Sequence, residues 1–407
     1  MTIVKGKYNT AVIFTDSLEQ EAREQIMFLC NMEIFKNSKI RIMPDVHVGK
    51  GCTIGTTISI HDAVVPNLVG VDIGCGVDVC KIQENEIDFV KLDKIIYDFI
   101  PYGQNIRKEE HPYTRKVALE SLRCKNSINL DRAKSSIGTL GGGNHFIEID
   151  KDFDGFLYII VHSGSRYLGK QVCEHYQNLA YKELTITNCN TRKEKQETIK
   201  KLRNQGKEKE IQTCLEKLQE KSKVKKDLAY LEGQNLKDYL HDIKIVQDFA
   251  ALNRKAIVDK IIQEMKFTVT ERFTTVHNYI DSKRMILRKG AISAHKEEKV
   301  IIPLNMRDGS IIAVGKGNSD WNYSAPHGAG RLLSRSRAKE SIKIEDFVDS
   351  MKGIYSTNSI AGTLDEAPAA YKPMEEIISK ISETVQIVQV IKSVYNFKGR
   401  TPCECVD

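Results

Sequence analysis

The side chains best suited to binding a metal ion are spread over most of this chain, each in a short segment marked by glycine or asparagine. Asp72 and Cys75 occur in GVDIGCGV, His145 in GGGNHFIEI, His162 in VHSGSR and His277 in VHNYI. Glycine at such positions lets the backbone turn tightly and approach a ligand closely. Because these segments have to meet in one site, their spacing favours a single integrated α+β unit over two independent domains.

A further segment, SAPHGAGR, places His327 beside glycines that would admit a phosphate. A neutral imidazole held in one tautomer is a competent nucleophile. Arg331, four residues later, has the planar guanidinium that pairs with phosphate through two hydrogen bonds. A carboxylate, a thiolate and several imidazoles nearby indicate metal-assisted phosphoryl transfer. The residues alone leave His327 open between nucleophile and further ligand, and they leave the metal open between manganese and zinc.

Two loops add polar groups that would reach the same site. MPDVHVGKG contains Asp45, His47 and Lys50, which we interpret as a substrate edge or as acid–base groups. Arg166 follows His162 by four residues and is placed to bind a terminal phosphate. Cys75 has a second interpretation, since a lone cysteine is often a small buried apolar residue.

The composition limits the classes of protein to consider. The 41% apolar and 28% charged content is typical of a globular protein. The first residues lack the apolar stretch of a secretory signal, and no apolar run approaches the roughly 18 residues of a membrane span. The ten cysteines follow no zinc-finger or small-scaffold spacing. We therefore expect a cytoplasmic protein without membrane segments, and the net charge of +7 is compatible with a polyanionic partner.

Hydrophobic periodicity predicts a mixture of strands and helices. Short β-branched runs between glycines indicate strands in the first 82 residues, interrupted by a helix over 16–35 that Asp16 or Ser17 would open. Further along we predict helices and a polar loop over 86–134, a strand over 158–165, a helix over 235–265, strands over 266–317, and helices from residue 327 to the end.

Residues 191–226 differ in composition from the rest of the chain. They are almost all good helix formers, with Gly206 near the middle. This pattern predicts a protruding, charged helical hairpin. It would either grip an RNA backbone with its basic residues or form a solvated face whose Lys and Glu side chains balance.

Taken in order, these segments closely resemble the motifs of the RtcB family of RNA-splicing ligases. The matching segments are MPDVHVGKG, GVDIGCGV, GTLGGGNHFIEI, VHSGSR, HNY, RKGAISA, HGAGRLLSRS and a late KG. The resemblance covers nearly the whole chain. It implies one RtcB-like domain over residues 1–407, with mixed β-sheets flanked by helices. It also implies a GTP- and manganese-dependent ligase, active as a monomer in RNA repair or tRNA splicing, with an archease-like activator as a partner.

The family resemblance assigns a reaction to these residues. RNA ends that carry a 3′-phosphate or a 2′,3′-cyclic phosphate would be joined to 5′-hydroxyl ends. Cys75 would bridge two manganese ions, with Asp72 and His145 completing one site and His162 and His277 the other. In the chemical steps, a histidine guanylylated by GTP would pass GMP to the RNA 3′-phosphate, and the 5′-hydroxyl would then expel GMP. The motif match makes His327 that histidine.

The resemblance also implies contacts with GTP and with RNA. The GTP contacts would be Asn144, His145, Phe146, Ile147, Glu148, His277, Asn278, Pro303, Leu304, Asn305, Met306, Ser310, His327, Gly328, Ala329, Gly330 and Lys398, the last binding guanine. The RNA or phosphate contacts would be Asp45, Lys50, Arg166 and Arg331.

Two departures from the family pattern bear on GTP binding. PLNMR at residues 303–307 replaces the commoner PGSMG, so that Asn305 stands for a phosphate-contacting serine and Leu304 for a glycine. The tail at residues 400–407 continues past Gly399 and would affect the placement of Lys398. Neither departure removes the nucleophile or a metal ligand.

Two other functions stay open on sequence grounds. A dinuclear hydrolase would open cyclic phosphates with metal-bound hydroxide and would not join RNA ends. A non-catalytic RNA-binding protein would use the basic hairpin and bind RNA without metal or nucleotide turnover.

Overall fold

A computed structural model describes residues 1–204, 211, 225–357 and 361–399. The strands are β1 Thr2–Lys5, β2 Thr10–Ile13, β3 Ile40–His47, β4 Ile54–Ser59, β5 Ala63–Val64, β6 Gly76–Ile82, β7 Phe146–Lys151, β8 Leu157–Ser163, β9 Leu231–Glu232, β10 Val269–Val276, β11 Asn278–Asp281, β12 Ile286–Lys289, β13 Ala291–Ser293, β14 Lys299–Asn305, β15 Gly309–Gly315, β16 Ser324–Pro326 and β17 Val385–Lys398. The α-helices are α1 Gln20–Cys30, α2 Phe89–Phe99, α3 Leu130–Lys134, α4 Arg166–Asn204, α5 Gly233–Met265, α6 Arg335–Ser341, α7 Ile344–Ser350 and α8 Met374–Ile381. The α+β class predicted from the sequence is confirmed.

Two large sheets organise the chain. A seven-stranded sheet has the order β10-β6-β8-β7-β17-β15-β14, and all its pairs are antiparallel. It curls so that its two outermost strands meet, and Lys299 of β14 pairs with Glu271 of β10 at 2.6 Å. A six-stranded sheet has the order β1-β2-β3-β4-β12-β11, with β2 and β3 parallel.

The centre of the seven-stranded sheet is covered on both faces. Strand β8, with the sequence LYIIVHS, is buried along its whole length, as expected for an apolar run that is packed on both sides. Helix α5 covers one face, where Ile257 and Ile261 share a core cluster with Ile159 and Val161. The helix predicted over 235–265 is confirmed, and it packs against one face of the central strands of this sheet.

The structure differs from the predicted secondary structure in the start of one helix and in the type of one element near the C-terminus. Helix α1 begins at Gln20 and not at Asp16 or Ser17, and the Asp16 carboxylate pairs with Lys380 of α8 at 2.7 Å instead of capping the helix. The prediction of helices up to the end is wrong for residues 385–398, which form β17. That segment is rich in β-branched residues, and a central position between β7 and β15 satisfies its backbone on both sides.

The predicted hairpin over 191–226 lies only partly within the described residues. Helix α4 continues through Asn204, so its first arm is helical, whereas residues 205–210 and 212–224 lie outside the described part. The tail at 400–407 also lies outside it. Among the described helices, none combines the length and the apolar character that a membrane crossing would need.

Candidate metal centre and active-site cavity

Four neighbouring strands of the seven-stranded sheet bring the predicted metal ligands to one end of that sheet. Cys75 directly precedes β6, His145 directly precedes β7, and His277 directly follows β10. His162 lies near the end of β8, where it is opposite Val77 of β6 on one side and Phe146 of β7 on the other. Antiparallel pairing places these strand ends together, so the registers of β6, β7, β8 and β10 assemble the cluster.

The five predicted ligands form two groups that share one atom. In the first group, His145 Nε2 lies 2.9 Å from Asp72 Oδ2 and 3.4 Å from Cys75 Sγ. In the second group, Cys75 Sγ lies 3.2 Å from His162 Nε2, which is 3.3 Å from His277 Nε2. Within each group the ligand atoms all lie within 4.8 Å of one another, and Cys75 belongs to both groups.

The hydrogen bonds around the histidines fit a bound cation. His145 Nδ1 lies 2.9 Å from the Leu140 carbonyl oxygen, and His162 Nδ1 lies 3.0 Å from that of Asn144. A carbonyl accepts only, so each Nδ1 carries the proton and each Nε2 directs a lone pair into the cluster. Those lone pairs converge on a carboxylate and a sulfur atom. Apart from the proton of the Cys75 thiol, which a bound cation would displace, these groups are all acceptors, and such a set is suited to divalent metal ions.

Burial favours the neutral form of two of the histidines and of the cysteine in this cluster. It lowers the pKa of His162 and His277 well below the usual value, so both imidazoles are neutral and able to bind metal. It raises the pKa of the Cys75 thiol well above its usual value, and the Asp72 carboxylate raises it further. A bound cation is the ordinary means of stabilising such a buried thiolate.

A cavity of about 540 Å³ opens directly beside the cluster. The predicted GTP contacts that line it are Asn144, Phe146, Glu148, His277, Asn278, Pro303, Leu304, Asn305, Met306, His327, Gly328, Ala329, Gly330 and Lys398. His145, Ile147 and Ser310 do not line it. The side chain of Ile147 lies in the core, because strand alternation turns it away from Phe146 and Glu148.

His327 lies at the wall of the cavity next to the cluster of candidate ligands. Its ring centroid is 4.9 Å from that of His277. Its Nδ1 lies 2.7 Å from Asp45 Oδ2, and the same carboxylate oxygen accepts the His327 backbone N–H at 3.2 Å. The carboxylate fixes the Nδ1–H tautomer and leaves a lone pair on Nε2. Asp45 itself is fully buried behind His327 and does not line the cavity, so its position fits a role in orienting His327 better than the predicted RNA contact.

A buried carboxyl group, that of Glu366, lies at the Lys398 side of the cavity. Lys398 Nζ is 4.9 Å from the Phe146 ring centroid and 3.4 Å from Glu366 Oε2. Burial acts to raise the pKa of Glu366, but the charges of Lys398, Arg335 and Arg331 outweigh it and lower that pKa. Sequence reasoning missed Glu366, because LDEAPAAY carries no local signal for a buried acid.

The predicted phosphate-binding arginines differ in their surroundings. Arg331 lines the cavity, where Tyr371 accepts a hydrogen bond from its Nη1 at 3.2 Å. Arg166 does not line it, since its guanidinium donates to the Gly103 carbonyl at 3.0 Å and to Thr139 Oγ1 at 3.2 Å. A Cβ at Gly141 would displace that guanidinium, and the φ of +88° at this position also favours glycine. Lys50 is exposed and lies outside the cavity lining.

Residues 303–307, which differ from the family pattern, end in a hydrogen-bonded turn at the cavity rim. Asn305 Oδ1 accepts the backbone N–H groups of Arg307 and Asp308 at 3.0 Å, and Asn305 Nδ2 donates to Asp308 Oδ2 at 2.7 Å. Arg307 also pairs with Asp308 at 2.7 Å. The charge that Arg307 adds is therefore balanced within the turn itself.

Comparison with known proteins agrees with these motifs. The family model described as tRNA-splicing ligase RtcB matches residues 25–126 and 114–399. The chain is 30% identical to the RNA-splicing ligase RtcB of Escherichia coli K12, over 94% of this chain and 95% of that protein. It is 26% identical to the tRNA-splicing ligases RtcB of Aeropyrum pernix, over 86% of this chain and 85% of that protein, and of Archaeoglobus fulgidus, over 89% and 88%. The chain belongs to the tRNA-splicing ligase RtcB family.

Proposed function

We propose that this protein is a GTP- and manganese-dependent RNA ligase that joins 3′-phosphate or 2′,3′-cyclic phosphate ends to 5′-hydroxyl ends. The observation that carries the proposal is the position of His327. It is oriented by a buried carboxylate, lies beside a five-residue ligand cluster and lines a cavity of about 540 Å³. The relatives named RNA-splicing ligases support the choice of RNA as substrate.

Two ligand groups would hold the metal ions. Asp72, Cys75 and His145 would bind one ion, and Cys75, His162 and His277 the other. Manganese bound there supplies charge stabilisation to the phosphoryl groups during transfer. Ligand type alone is also compatible with zinc, so the assignment of manganese depends on the family and on the metal panel below.

His327 supplies the nucleophile through Nε2. Its lone pair attacks the α-phosphorus of GTP, the P–N bond forms, and the bond to the bridging oxygen breaks to release pyrophosphate. Asp45 keeps the proton on Nδ1 and stabilises the positive charge that the ring gains. An oxygen of the RNA 3′-phosphate then takes the GMP, and the P–N bond breaks.

The sealing step returns the site to its starting state. The RNA 5′-hydroxyl attacks the activated 3′-phosphate, loses its proton, and expels GMP. A cyclic phosphate is first opened to a 3′-phosphate by water at the same centre. Arg331 lines the cavity, and its guanidinium is suited to the charge of the RNA ends. The archease-like activator and the monomeric state stay predictions.

Glu148 and Lys398 are the groups we assign to the guanine base. Both line the cavity, and their strands are adjacent, with Lys398 of β17 opposite Phe146 of β7. Asn396 donates a hydrogen bond to Glu148 Oε2, which fixes that carboxyl group. A carboxylate accepts hydrogen bonds from the N–H groups of guanine, whereas adenine presents a different pattern of donors and acceptors.

Changing Asp45 to asparagine is expected to slow guanylylation by about 100-fold or more, because the amide no longer fixes the Nδ1–H tautomer of His327. The measurement is the single-turnover rate of labelling from α-labelled GTP, with metal content determined in parallel. Unchanged metal content with a slower rate supports the orienting role. Labelling at the wild-type rate would contradict it.

The proposed function is tested by sealing defined RNA ends. Protein, GTP and a panel of divalent metals are mixed with one fragment ending in a 3′-phosphate and another starting with a 5′-hydroxyl. We expect a joined strand with manganese and none after chelation. Conversion of a cyclic phosphate to a 3′-phosphate with no joined strand would instead support the dinuclear hydrolase. RNA binding that survives chelation, with no turnover, would support a non-catalytic protein.

A further inference from the structure

Asn253 and Arg254, two adjacent residues of helix α5, hydrogen-bond to the backbone of the segments that carry four of the candidate ligands. These ligands are Asp72, Cys75, His145 and His162. Asn253 is fully buried, and its Oδ1 accepts the N–H groups of Gly138 and Thr139 at 2.8 and 3.0 Å. Its Nδ2 donates to Ser163 Oγ and to the Gly164 carbonyl, both at 3.0 Å. The one amide therefore connects the loop before β7 to the end of β8.

Those contacts continue directly to a metal ligand. Ser163 Oγ, which accepts from Asn253, donates to the Leu140 carbonyl at 2.8 Å. The same carbonyl lies 2.9 Å from His145 Nδ1 and sets the tautomer of that ring. Gly164 adjoins the other side of the cluster, where a Cβ would lie 2.3 Å from Asp72 Oδ1.

Arg254 completes the connection between loops. It is 1% exposed, and its Nη1 donates to the Gly74 carbonyl at 2.7 Å and to the Ser163 carbonyl at 3.0 Å. Gly74 precedes Cys75, and Ser163 follows His162. A single guanidinium nitrogen therefore ties together the segments that hold the two closest ligands of the second group.

The surroundings of Arg254 are unusual for a structural arginine. Its Nε and Nη2 are buried without a hydrogen-bond partner among the described residues. The acidic groups near it are Cys75, Asp78 and Asp72, and Asp78 is bound by Arg272 at 2.6 Å. A buried guanidinium normally requires a paired carboxylate, and leaving it unpaired is costly. An arginine that is retained in spite of this unfavourable free energy indicates a role in the adjacent ligand cluster.

We propose that Asn253 and Arg254 are positioning residues that hold the ligand loops at metal-binding spacing, so that metal affinity depends on two residues that touch no metal. The inference rests on the metal centre of the proposed function. Loss of an outer hydrogen bond to a ligand loop typically costs 10- to 100-fold in metal affinity. Arg254 acts on the segments of Cys75 and His162, and Asn253 acts on those of His145 and His162.

The test compares Arg254→Met with Arg288→Met as a matched control. Arg288 is also fully buried and also donates to backbone carbonyls, at Asn322 and Tyr323. Its side chain hydrogen-bonds Tyr279 on β11, two residues after His277, but not the segments of Cys75 and His162 on which Arg254 acts. Binding of Mn²⁺ to the purified proteins is measured by calorimetry. Co²⁺ substitution is followed by the absorption of the cobalt–thiolate bond, a signature that general destabilisation of a folded protein would not change.

We expect Arg254→Met to lose about 10- to 100-fold in Mn²⁺ affinity and to weaken or shift the cobalt–thiolate absorption. Arg288→Met should lower the melting temperature and keep both metal readouts. Wild-type affinity and spectrum in folded Arg254→Met would overturn the inference. If that variant does not fold, Arg254→Gln decides: its shorter side chain cannot reach both carbonyls, so a loss of affinity is expected, and none would overturn the inference.

The failure of this inference is separable from failure of the proposed function. Wild-type protein that binds no Mn²⁺ and takes no label from GTP would remove the proposed function itself. Wild-type protein that binds Mn²⁺, together with variants that bind it equally well, would remove only the positioning role.

Discussion

Replacing His327 by alanine is expected to abolish covalent labelling of the protein by α-labelled GTP, a loss on the order of 10³-fold or more. The change removes the only side chain that we assign to attack on the α-phosphorus. It leaves the five metal ligands in place, so Mn²⁺ binding should stay close to that of the wild type. Acid-quenched labelling followed by intact-mass measurement gives the result directly, with an added GMP expected only on the wild-type chain.

His61→Ala is the matched control for that change. His61 is exposed and its Nε2 lies 3.1 Å from the Asn37 carbonyl, outside the cavity lining. This variant should label at the wild-type rate. Labelling of His327→Ala at the wild-type level would show that another residue is the nucleophile, and sealing of RNA without any adduct on the wild-type protein would exclude a covalent histidine altogether.

Replacing Cys75 by alanine should weaken the binding of both metal ions together, by roughly 100-fold or more, and should abolish labelling with it. Cys75 Sγ is the atom that the two ligand groups share, at 3.4 Å from His145 Nε2 and 3.2 Å from His162 Nε2. Its removal takes one ligand from each ion. Titration with Mn²⁺, read by calorimetry, measures stoichiometry and affinity in one experiment.

Cys80→Ala provides the control for a lost buried thiol. Cys80 is fully buried on β6, five residues after Cys75, and it packs in the core cluster beneath the sheet. That variant should be less stable yet bind metal normally. If Cys75→Ala lost one ion and kept the other at full affinity, the thiolate would belong to a single site, and the two-ion arrangement would need revision.

The sequence was sufficient to identify the residues that form the cluster of candidate ligands, because they lie in glycine-marked segments that stand out locally. All five predicted ligands come together, and His327 lies beside them. The strand over 158–165 and the helix over 235–265 were also predictable, because each has a clear hydrophobic pattern and good length. What these successes share is a signal contained within a few neighbouring residues.

The misses depended on contacts between distant parts of the chain. Nothing near Asp45 indicates that its carboxylate would be buried against His327, 282 residues later. Glu366 is likewise defined by cations that come from other segments. The alternation in β17 was present in the sequence, but a helical reading of the C-terminal part competed with it until pairing with β7 and β15 decided the outcome.

The position of β17 has a consequence for biosynthesis. In chain order it is the last of the seven strands, yet it lies between β7 and β15 in space. While the nascent polypeptide lacks residues 385–398, both flanking edges offer unpaired N–H and C=O groups to any other strand nearby. Chaperone protection would matter most during that interval. The cavity beside the ligand cluster is also completed late, since Lys398 reaches Phe146 only when this strand inserts.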